Sequence, residues 1–573
     1  MKVTFGNVRQ RVAIGSPIAL YHERSMHRLN VRTTGSLLAL ALGLALSACG
    51  SIAEQDPDGS VTPDVQVEPG DFTLSAPASS FVRPDGTQDL AVSVVRGTGF
   101  TDPVALSITG LPAGVTAEPV TVAADATSAT VHFTAAASAV VGAQATLDLV
   151  ASGGTREHTA NVRFIVAGAP GALDTTFGDG GTVIEGVSQT ASDYAVGAWP
   201  QDDGKIVAVA NSGGIVLLRF VASGDLDSGF GTAGKVTETF SDLGAVGVPS
   251  GYALPQRDGS IVVVGAADVD PATDVSQLDI FVRRYTKDGA RDAAFTGRRL
   301  PFSTLSTSLR ALAIGPNDEI VLGGTYGVMN GTDDFVARLD AGGEPDTLFG
   351  SGGMRSINLG TDDNLGGVAV GKGGEIYVAC GVSGYLTNAG YLLHFTRTAG
   401  QDTSFAGDGA RELVHSSGLH QSYPTGVAVD ADDTIRVWGS TYTTIFDAEA
   451  TVWRFDATGA AVRSFNEDGI WILGNGTATE NPPSDTANSV GVAGSYFIAG
   501  LRMVNFAPTG LVISQVDAAG EAVPGFGTAG MVTTTLPFQA YATIANPDER
   551  RVTFVGGAGG YGTDNTALVR IWY

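Results

Sequence analysis

Two kinds of side chain in this 573-residue chain could do more than pack. The first is a scatter of carboxylates and aromatics in Gly-rich stretches: Asp268, Asp270, Asp274, Tyr326, Asp333, Asp334, Tyr385, Tyr442, Phe446, Asp447, Glu449 and Tyr561. Aromatic faces beside carboxylates could grip a glycan or a peptide. Asp268-Val269-Asp270 and Asp430-Ala431-Asp432-Asp433 alternate oxygen ligands as Ca²⁺ loops do, although neither has the full loop pattern. The plainer reading is polar turns with a few packing aromatics. The second kind is the thiol of Cys49, which follows an uncharged apolar run. The other cysteine, Cys380, lies inside Ile376-Tyr377-Val378-Ala379 and reads as a small buried filler.

Enzyme signatures are missing. There is no Gly-x-Ser-x-Gly elbow, no phosphate loop and no His-Glu-x-x-His. His415 and His420 share a loop-like stretch without diagnostic spacing. The chain is therefore expected to be a binding or scaffold protein with no catalytic residue, no metal and no cofactor, Ca²⁺ being the one ion the carboxylates leave open. A polysaccharide-acting enzyme is the alternative, and a spacer without a specific ligand is a third. Net charge is −26, and the first 48 residues carry six Lys/Arg and one Glu, so the remainder stands at −31. That field repels phosphate backbones, which argues against nucleic-acid partners. A soluble monomer meeting a surface protein or glycan fits better.

Ser36–Ala48 reads SLLALALGLALSA, with Arg28 and Arg32 upstream. It is too short to span a membrane, which takes about 20 apolar residues. The run ends in Leu46-Ser47-Ala48-Cys49-Gly50, which resembles the lipobox of bacterial lipoproteins. The resemblance implies export, cleavage before Cys49 and lipidation of Cys49, so that the acyl chains make the membrane a partner. Gly50, rather than the Asp associated with inner-membrane retention, implies the outer membrane or cell surface. Residues 1–48 are then the signal peptide, with Met26 a plausible true start, and 49–68 a lipidated Cys and Pro/Asp/Ser-rich tether.

Gly makes up 78 of 573 residues and charged residues only 16%, a balance that suits strands joined by tight turns. Residues 69–167 alternate apolar and polar side chains, as in Leu90-Ala91-Val92-Ser93-Val94 and Ala129-Thr130-Val131-His132-Phe133. Six or seven such strands predict an immunoglobulin-like β-sandwich. The stretch Gly110-Leu111-Pro112-Ala113-Gly114-Val115-Thr116 resembles bacterial Ig-like surface domains.

From residue 173 to 573 one unit recurs. Its punctuation is Leu173-Asp174-Thr175-Thr176-Phe177-Gly178, then Asp227/Phe230, Asp292/Phe295, Asp346/Phe349 and Asp402/Phe405, with Val462/Phe465 and Val523/Phe526 as weaker copies. Each unit also has a turn such as Asp203-Gly204 or Asp258-Gly259, expected to place both residues at positive φ. Each closes on a strand carrying Arg and an aromatic or Leu (Arg219-Phe220, Arg284-Tyr285, Arg338-Leu339, His394-Phe395, Arg454-Phe455, Arg570), except that Ser514-Gln515-Val516 replaces the pair in copy six. The pattern resembles the delta-60 repeat family of bacterial surface proteins, which implies a β-propeller-like repeat.

Four strands per unit and seven units predict an all-β chain: the small sandwich, then a seven-bladed β-propeller of four-stranded blades. An open solenoid is the rival. The last copy lacks a trailing Asp-x-x-Phe and the first supplies one, as a closed ring requires. The hairpin turns and the Asp-x-x-Phe links, read as connections between blades, should lie on one face. The other connectors, which carry the length variation and the candidate carboxylates and aromatics, should lie on the opposite face, where binding is expected.

Overall fold

A computed structural model describes residues 67–187, 193–270, 278–301, 307–328, 331–383, 388–415, 421–444, 447–473, 484–504, 507–559 and 565–573. Among them the only helical residues are two 3₁₀ turns, Ser241–Leu243 and Pro547–Glu549.

Nine strands come first: β1 (Phe72–Ser75), β2 (Ser79–Val82), β3 (Thr87–Arg96), β4 (Val104–Thr109), β5 (Val115–Ala117), β6 (Val120–Val122), β7 (Ser128–Ala135), β8 (Gln144–Gly153) and β9 (Arg156–Val166). One sheet runs β1-β3-β7-β5, the other β2-β9-β8-β4-β6. Along β3, Leu90, Val92 and Val94 are buried while Ala91, Ser93 and Val95 are exposed. Such alternation gives each sheet one apolar face, and the two faces share a core that includes Phe72, Phe133, Leu147 and Phe164. Strands β2, β5 and β6 have three or four residues, too few to display a period in the sequence.

After β10 (Thr182–Glu185) the strands run in fours. The first group is β11 (Tyr194–Pro200), β12 (Ile206–Asn211), β13 (Ile215–Phe220) and β14 (Lys235–Glu238); the second is β15 (Ser250–Pro255), β16 (Ile261–Asp268), β17 (Leu278–Tyr285) and β18 (Arg298–Leu300). The third is β19 (Thr307–Ile314), β20 (Ile320–Val328), β21 (Gly331–Leu339) and β22 (Met354–Ile357); the fourth is β23 (Asp362–Val370), β24 (Ile376–Ser383), β25 (Asn388–Phe395) and β26 (Ala410–Leu413). The fifth is β27 (Ser422–Val429), β28 (Ile435–Thr444), β29 (Asp447–Phe455) and β30 (Ile470–Ile472); the sixth is β31 (Ser484–Val492), β32 (Tyr496–Val504), β33 (Ala507–Val516) and β34 (Met531–Thr533). The last has only β35 (Phe538–Asn546), β36 (Arg551–Ala558) and β37 (Asn565–Trp572), and β10 completes it by pairing Thr182–Glu185 with Val569–Thr566. The free ends of the repeat do meet.

Within each group the strands are antiparallel neighbours in order. The first strands contact one another in a cycle, β11 to β15 and onward to β35, which returns to β11. These are the innermost strands. Every interface between adjacent groups has its own apolar core, and the one between last and first gathers Ile544, Val555 and Leu568 with Ala195, Ile206 and Phe220. Middle strands are covered on both sides, which is why β12 (IVAVAN) and β13 (IVLLRF) read as continuous apolar runs.

Two sequence expectations shift in detail. The Asp-x-x-Phe segments join the third and fourth strands of one group, as 221–234 does between β13 and β14; the step between groups is made by segments such as 239–249. The division of connectors between two faces is unchanged. The hairpins also need only one residue at positive φ: Gly204, Gly259, Asp318, Gly374 and Asp433. In the first of them Gly204 N–H donates to Gln201 O and Gln201 N–H to Lys205 O, a turn followed by a left-handed residue.

The repeated punctuation is a brace. In all seven groups the backbone N–H of its first residue donates to the carbonyl of the Arg-position residue on the third strand: Asp227 to Arg219 (2.7 Å), Asp292 to Arg284 (3.0 Å), Asp346 to Arg338 (2.9 Å), Asp402 to His394 (3.0 Å), Val462 to Arg454 (3.0 Å), Val523 to Gln515 (3.0 Å) and Asp174 to Arg570 (2.8 Å). Where both charges exist, the side chains follow. Arg219 Nε donates to Asp227 at 2.9 Å, Arg284 to Asp292 at 2.7 Å and Arg338 to Asp346 at 2.9 Å. Each guanidinium lies 4.7–4.9 Å from the centroid of Phe230, Phe295 or Phe349, a cation–π contact. His394 sits 3.3 Å from Asp402 without hydrogen-bond geometry, and burial holds its pKa below the ordinary histidine value.

The seam is the strongest copy of this brace. Asp174 has no exposed surface, accepts the Arg570 Nε–H at 2.7 Å and lies 2.8 Å from Arg551 Nε, an ion pair without hydrogen-bond geometry. Burial, with Arg551 alongside, brings the Arg570 pKa down to about 10. Arg570 lies 4.1 Å from the Phe177 centroid. The sandwich docks beside the seam: Ser79 donates to Asp548 at 2.9 Å, Arg163 pairs with Asp548, Arg83 reaches Tyr573 O at 3.3 Å, and Ile165 and Ala167 pack on Trp572.

Asp174→Ala should leave buried Arg570 with the Ala222 carbonyl alone and Arg551 with Glu549, removing the carboxylate shared by both, and cost about 3 kcal/mol. Asp227→Ala should cost less, because Arg219 keeps Gln201, the Lys287 carbonyl and Asp288. Urea midpoints of the two variants check the order; equal shifts would refute the special role of the seam.

Candidate functional site

The first strand of each group runs from the variable face to the hairpin face. Cys49 and Met26 lie outside the described residues, as do Asp274, Tyr385, His420, Phe446 and Tyr561. Asp447 opens β29.

The remaining candidates fall into separate small sets. Asp268 accepts the Asp270 N–H at 3.0 Å, a turn cap. Tyr326 Oη is 3.3 Å from Asp333 and 3.1 Å from Ser356 Oγ, and Asn358 donates to Asp333 at 2.8 Å. Tyr442 meets Tyr423 edge-on, centroids 5.2 Å apart. Glu449 pairs with His415 Nε2 at 2.9 Å.

The Ca²⁺ reading of Asp430–Asp433 is displaced. These residues form the hairpin turn of the fifth group, on the face opposite the variable loops, and face arginines. Asp430 lies 3.1 Å from Arg436 Nη1 and Asp432 3.2 Å from Arg454 Nη2, while Asp433 meets Lys372 at 2.8 Å. The fifth copy has Val462 where other copies have the brace Asp, and these two aspartates serve Arg454 in its place. Burial still pushes the Asp430 pKa up, with Arg436 and Arg454 pulling the other way. Among the described residues no group of three or more His, Cys, Asp or Glu gathers as metal ligands.

Asp334 has an unusual place. Aligned on the Arg of the brace, its slot holds Ile215, Ile280, Gly390, Ala450, Leu511 and Thr566 in the other groups. Ile215, Ile280 and Leu511 are fully buried core residues, and the Thr566 hydroxyl donates to Asp193 O at 3.1 Å. Asp334 is equally buried, and neither carboxylate oxygen has a partner of good hydrogen-bond geometry, the nearby Leu365 N–H only partly offsetting the burial. Burial, reinforced by Asp363, pushes its pKa up to about 8. Asp363 is 2% exposed; its Oδ2 accepts the Leu359 N–H at 2.8 Å and its Oδ1 has no partner. Burial raises its pKa as well. The Cys380 thiol lies fully buried in the same core, its pKa held well above the ordinary value by burial.

Sequence reasoning missed the residues that line the inner strands near the variable face. Six of the seven carry an extra residue at the same level, between Ala195/Gly197, Leu309/Ala311, Leu365/Gly367, Pro424/Gly426, Ala487/Ser489 and Ala540/Ala542. A bulge re-aims the extra side chain; here the extra residues include Arg310 and Tyr541. Tyr541 and Tyr194 are 36% and 37% exposed, unusual for large aromatics on inner strands, with centroids 6.1 Å apart. Tyr252 follows on the next inner strand, partly buried against the core between the second and third groups; burial raises its pKa, with Arg310 pulling the other way and Tyr194 adding to the rise. Tyr541, Tyr194, Tyr252 and Arg310 thus come from four successive inner strands. Arg310 is exposed and makes no ion pair or hydrogen bond among the described residues. No fixed spacing marks these positions in the sequence: Tyr194, Tyr252, Arg310 and Tyr541 fall six, three, four and five residues before the ends of their strands at Pro200, Pro255, Ile314 and Asn546.

Described clefts lie on the other face. One of about 430 Å³ is bounded by Arg163, Gln201, Asp203, Asn546, Asp548 and Arg551, between the sandwich and the seam.

A family model described as "Domain of unknown function (DUF5122) beta-propeller" matches residues 256–295 and 315–349. No curated protein matches the chain. Similar solved structures include a protein of unknown function from Bacteroides thetaiotaomicron (11% identity, 89% of this chain and 99% of that one, TM-score 0.34). Others are the GH93 alpha-L-arabinofuranosidase of Fusarium graminearum with arabinobiose (11%, 68% and 98%, 0.32) and the alpha-L-arabinanase of Penicillium chrysogenum (12%, 67% and 94%, 0.32). The family match and the closed cycle of sheets define a β-propeller-like protein.

Asp430→Asn should lower stability by about 3 kcal/mol by weakening the compensation of Arg436 and Arg454. The loss should be the same in calcium and in chelator. A calcium-dependent rise in the thermal midpoint of wild type that the variant lacks would restore the ion site.

Proposed function

We propose that this chain is a lipid-anchored, outer-membrane or cell-surface binding protein of the delta-60 repeat kind, in which an immunoglobulin-like sandwich carries a seven-bladed β-propeller that grips a glycan at the variable face. The observation that carries the reading is the track of Tyr541, Tyr194, Tyr252 and Arg310 on inner strands. Aromatic side chains on rigid strands offer contact area at little entropic cost. An arginine with no partner among the described residues, in a chain of net charge −26, is a place for a carboxylate or sulfate, so an acidic glycan is the ligand class favoured. Cys49 supplies the anchor, residues 49–68 the tether and residues 69–167 the stalk; the propeller spans 173–573, and the protein acts as a monomer.

A hydrolytic reading would need paired carboxylates opening towards substrate. Among the described residues, the buried pair at the third and fourth groups, Asp334 and Asp363, is 0% and 2% exposed and does not open in that way.

The test is titration of residues 51–573 with acidic and neutral polysaccharides. Joint Tyr194→Ala and Tyr541→Ala replacement should cost about 2 kcal/mol, roughly thirtyfold in Kd. Arg310→Gln should weaken acidic glycans alone. Binding that ignores the tyrosines would overturn the assignment. In cells, Cys49→Ser should abolish fatty-acid labelling and membrane attachment; retained labelling would overturn the anchor.

A further inference from the structure

Adjacent groups meet through side chains and through backbone bonds between their Asp-x-x-Phe segments, such as Gly231 N–H to Asp288 O at 3.1 Å and Ala406 N–H to Thr458 O at 2.8 Å, and among the described residues one interface adds a pairing between strands. Thr332 on β21 and Asp362 on β23 form a single parallel pair that fuses the third and fourth groups into one sheet. Thr332 N–H donates to Thr361 O at 3.2 Å, and Thr332 Oγ1 to Asp363 O at 2.9 Å. Directly behind this stitch lie the two buried acids, Asp334 two residues along β21 and Asp363 next to the paired residue on β23. Three of their four oxygens (both of Asp334 and Oδ1 of Asp363) have no partner of good hydrogen-bond geometry. The corresponding slot holds Ile280 in the second group and Leu511 in the sixth, so the fold does not require a carboxyl there.

An ionised carboxylate without a partner in such a place is costly, and two facing each other are more so. Protonating one removes the conflict. We propose that Asp334 and Asp363 form a proton-operated latch: with Asp334 protonated, the Thr332–Asp362 stitch is closed, and loss of that proton to water opens it at the variable face. The charged and titratable groups around Asp334 are Asp363 and Asp362 on β23, Asp333 on β21, Arg310 on β19 and the Cys380 thiol on β24. Of these only Arg310 favours the ionised form, together with the Leu365 N–H, and Arg310 is exposed, where water screens it.

The sign follows from the raised acid. Closed, Asp334 holds its proton up to about pH 8; opened to water it becomes an ordinary carboxyl. The stitch is strongest below the ordinary carboxylate range, weakens as the pH rises through neutrality, and stops weakening above about 8. The latch would act independently of what the face binds.

The experiment is hydrogen exchange of the Thr332 amide between pH of about 5 and about 8, corrected for base catalysis. Protection in wild type should fall by at least about tenfold across the range, while the matching stretch of the second group, Leu278–Tyr285, stays flat. Asp334→Asn and Asp334→Ile should remove the pH dependence. A flat wild-type profile overturns the latch even if neither variant folds, and so does an equal fall in Asp334→Asn.

Discussion

Asp174 and the two arginines that converge on it hold together residues almost four hundred positions apart. The short strand β10 lies against β37, Phe177 fills the space under Arg570, and the Asp174 N–H donates to the Arg570 carbonyl. Every other apolar interface between sheets presupposes this closure, because a row of twisted sheets left open would expose the faces of its first and last members. The charge pair adds direction: buried guanidinium groups accept few alternatives to a buried carboxylate, so the ends are held in one register.

The same brace within each group shows how the repeat tolerates change. In the sixth copy Gln515 and Val523 replace Arg and Asp together, leaving no orphaned charge, while the backbone bond between them persists at 3.0 Å. In the fifth only the Asp is lost, and Arg454 is met from the group's own hairpin by Asp432. The backbone bond is the constant part of the motif, and the ion pair is an interchangeable reinforcement. Motif residues that catch the eye in the sequence are consequently structural, and the residues suited to binding are those that vary from copy to copy.

That division explains what could be read from sequence. The sandwich strands announced themselves because each has one wet face, as β3 shows. The repeat length and the complementary ends were legible because Asp, Phe and Arg recur at fixed spacing. The exchange of the fourth strand between successive sequence copies was hidden, since a strand's partner is a long-range fact. Asp430 and Asp432 looked like ion ligands because sequence does not show that Arg436 and Arg454 face them. Asp334 looked like one more loop carboxylate beside Asp333; only alignment of its slot with Ile280 and Leu511 reveals it as a misfit. The Tyr541–Tyr194–Tyr252–Arg310 track combines residues from the beginning, middle and end of the repeat, joined only once the ring is closed.

The docking of the sandwich has a mechanical consequence. Chain arriving from the N-terminal side enters the ring through β10, the edge strand that completes the last sheet. A pull on that chain therefore loads the seam first. Arg83, Arg163 and Ser79 tie the sandwich to Tyr573 and Asp548 of the same last sheet, bypassing β10. Force then has a parallel path into the C-terminal sheet, and the strand that closes the ring is relieved of carrying it alone.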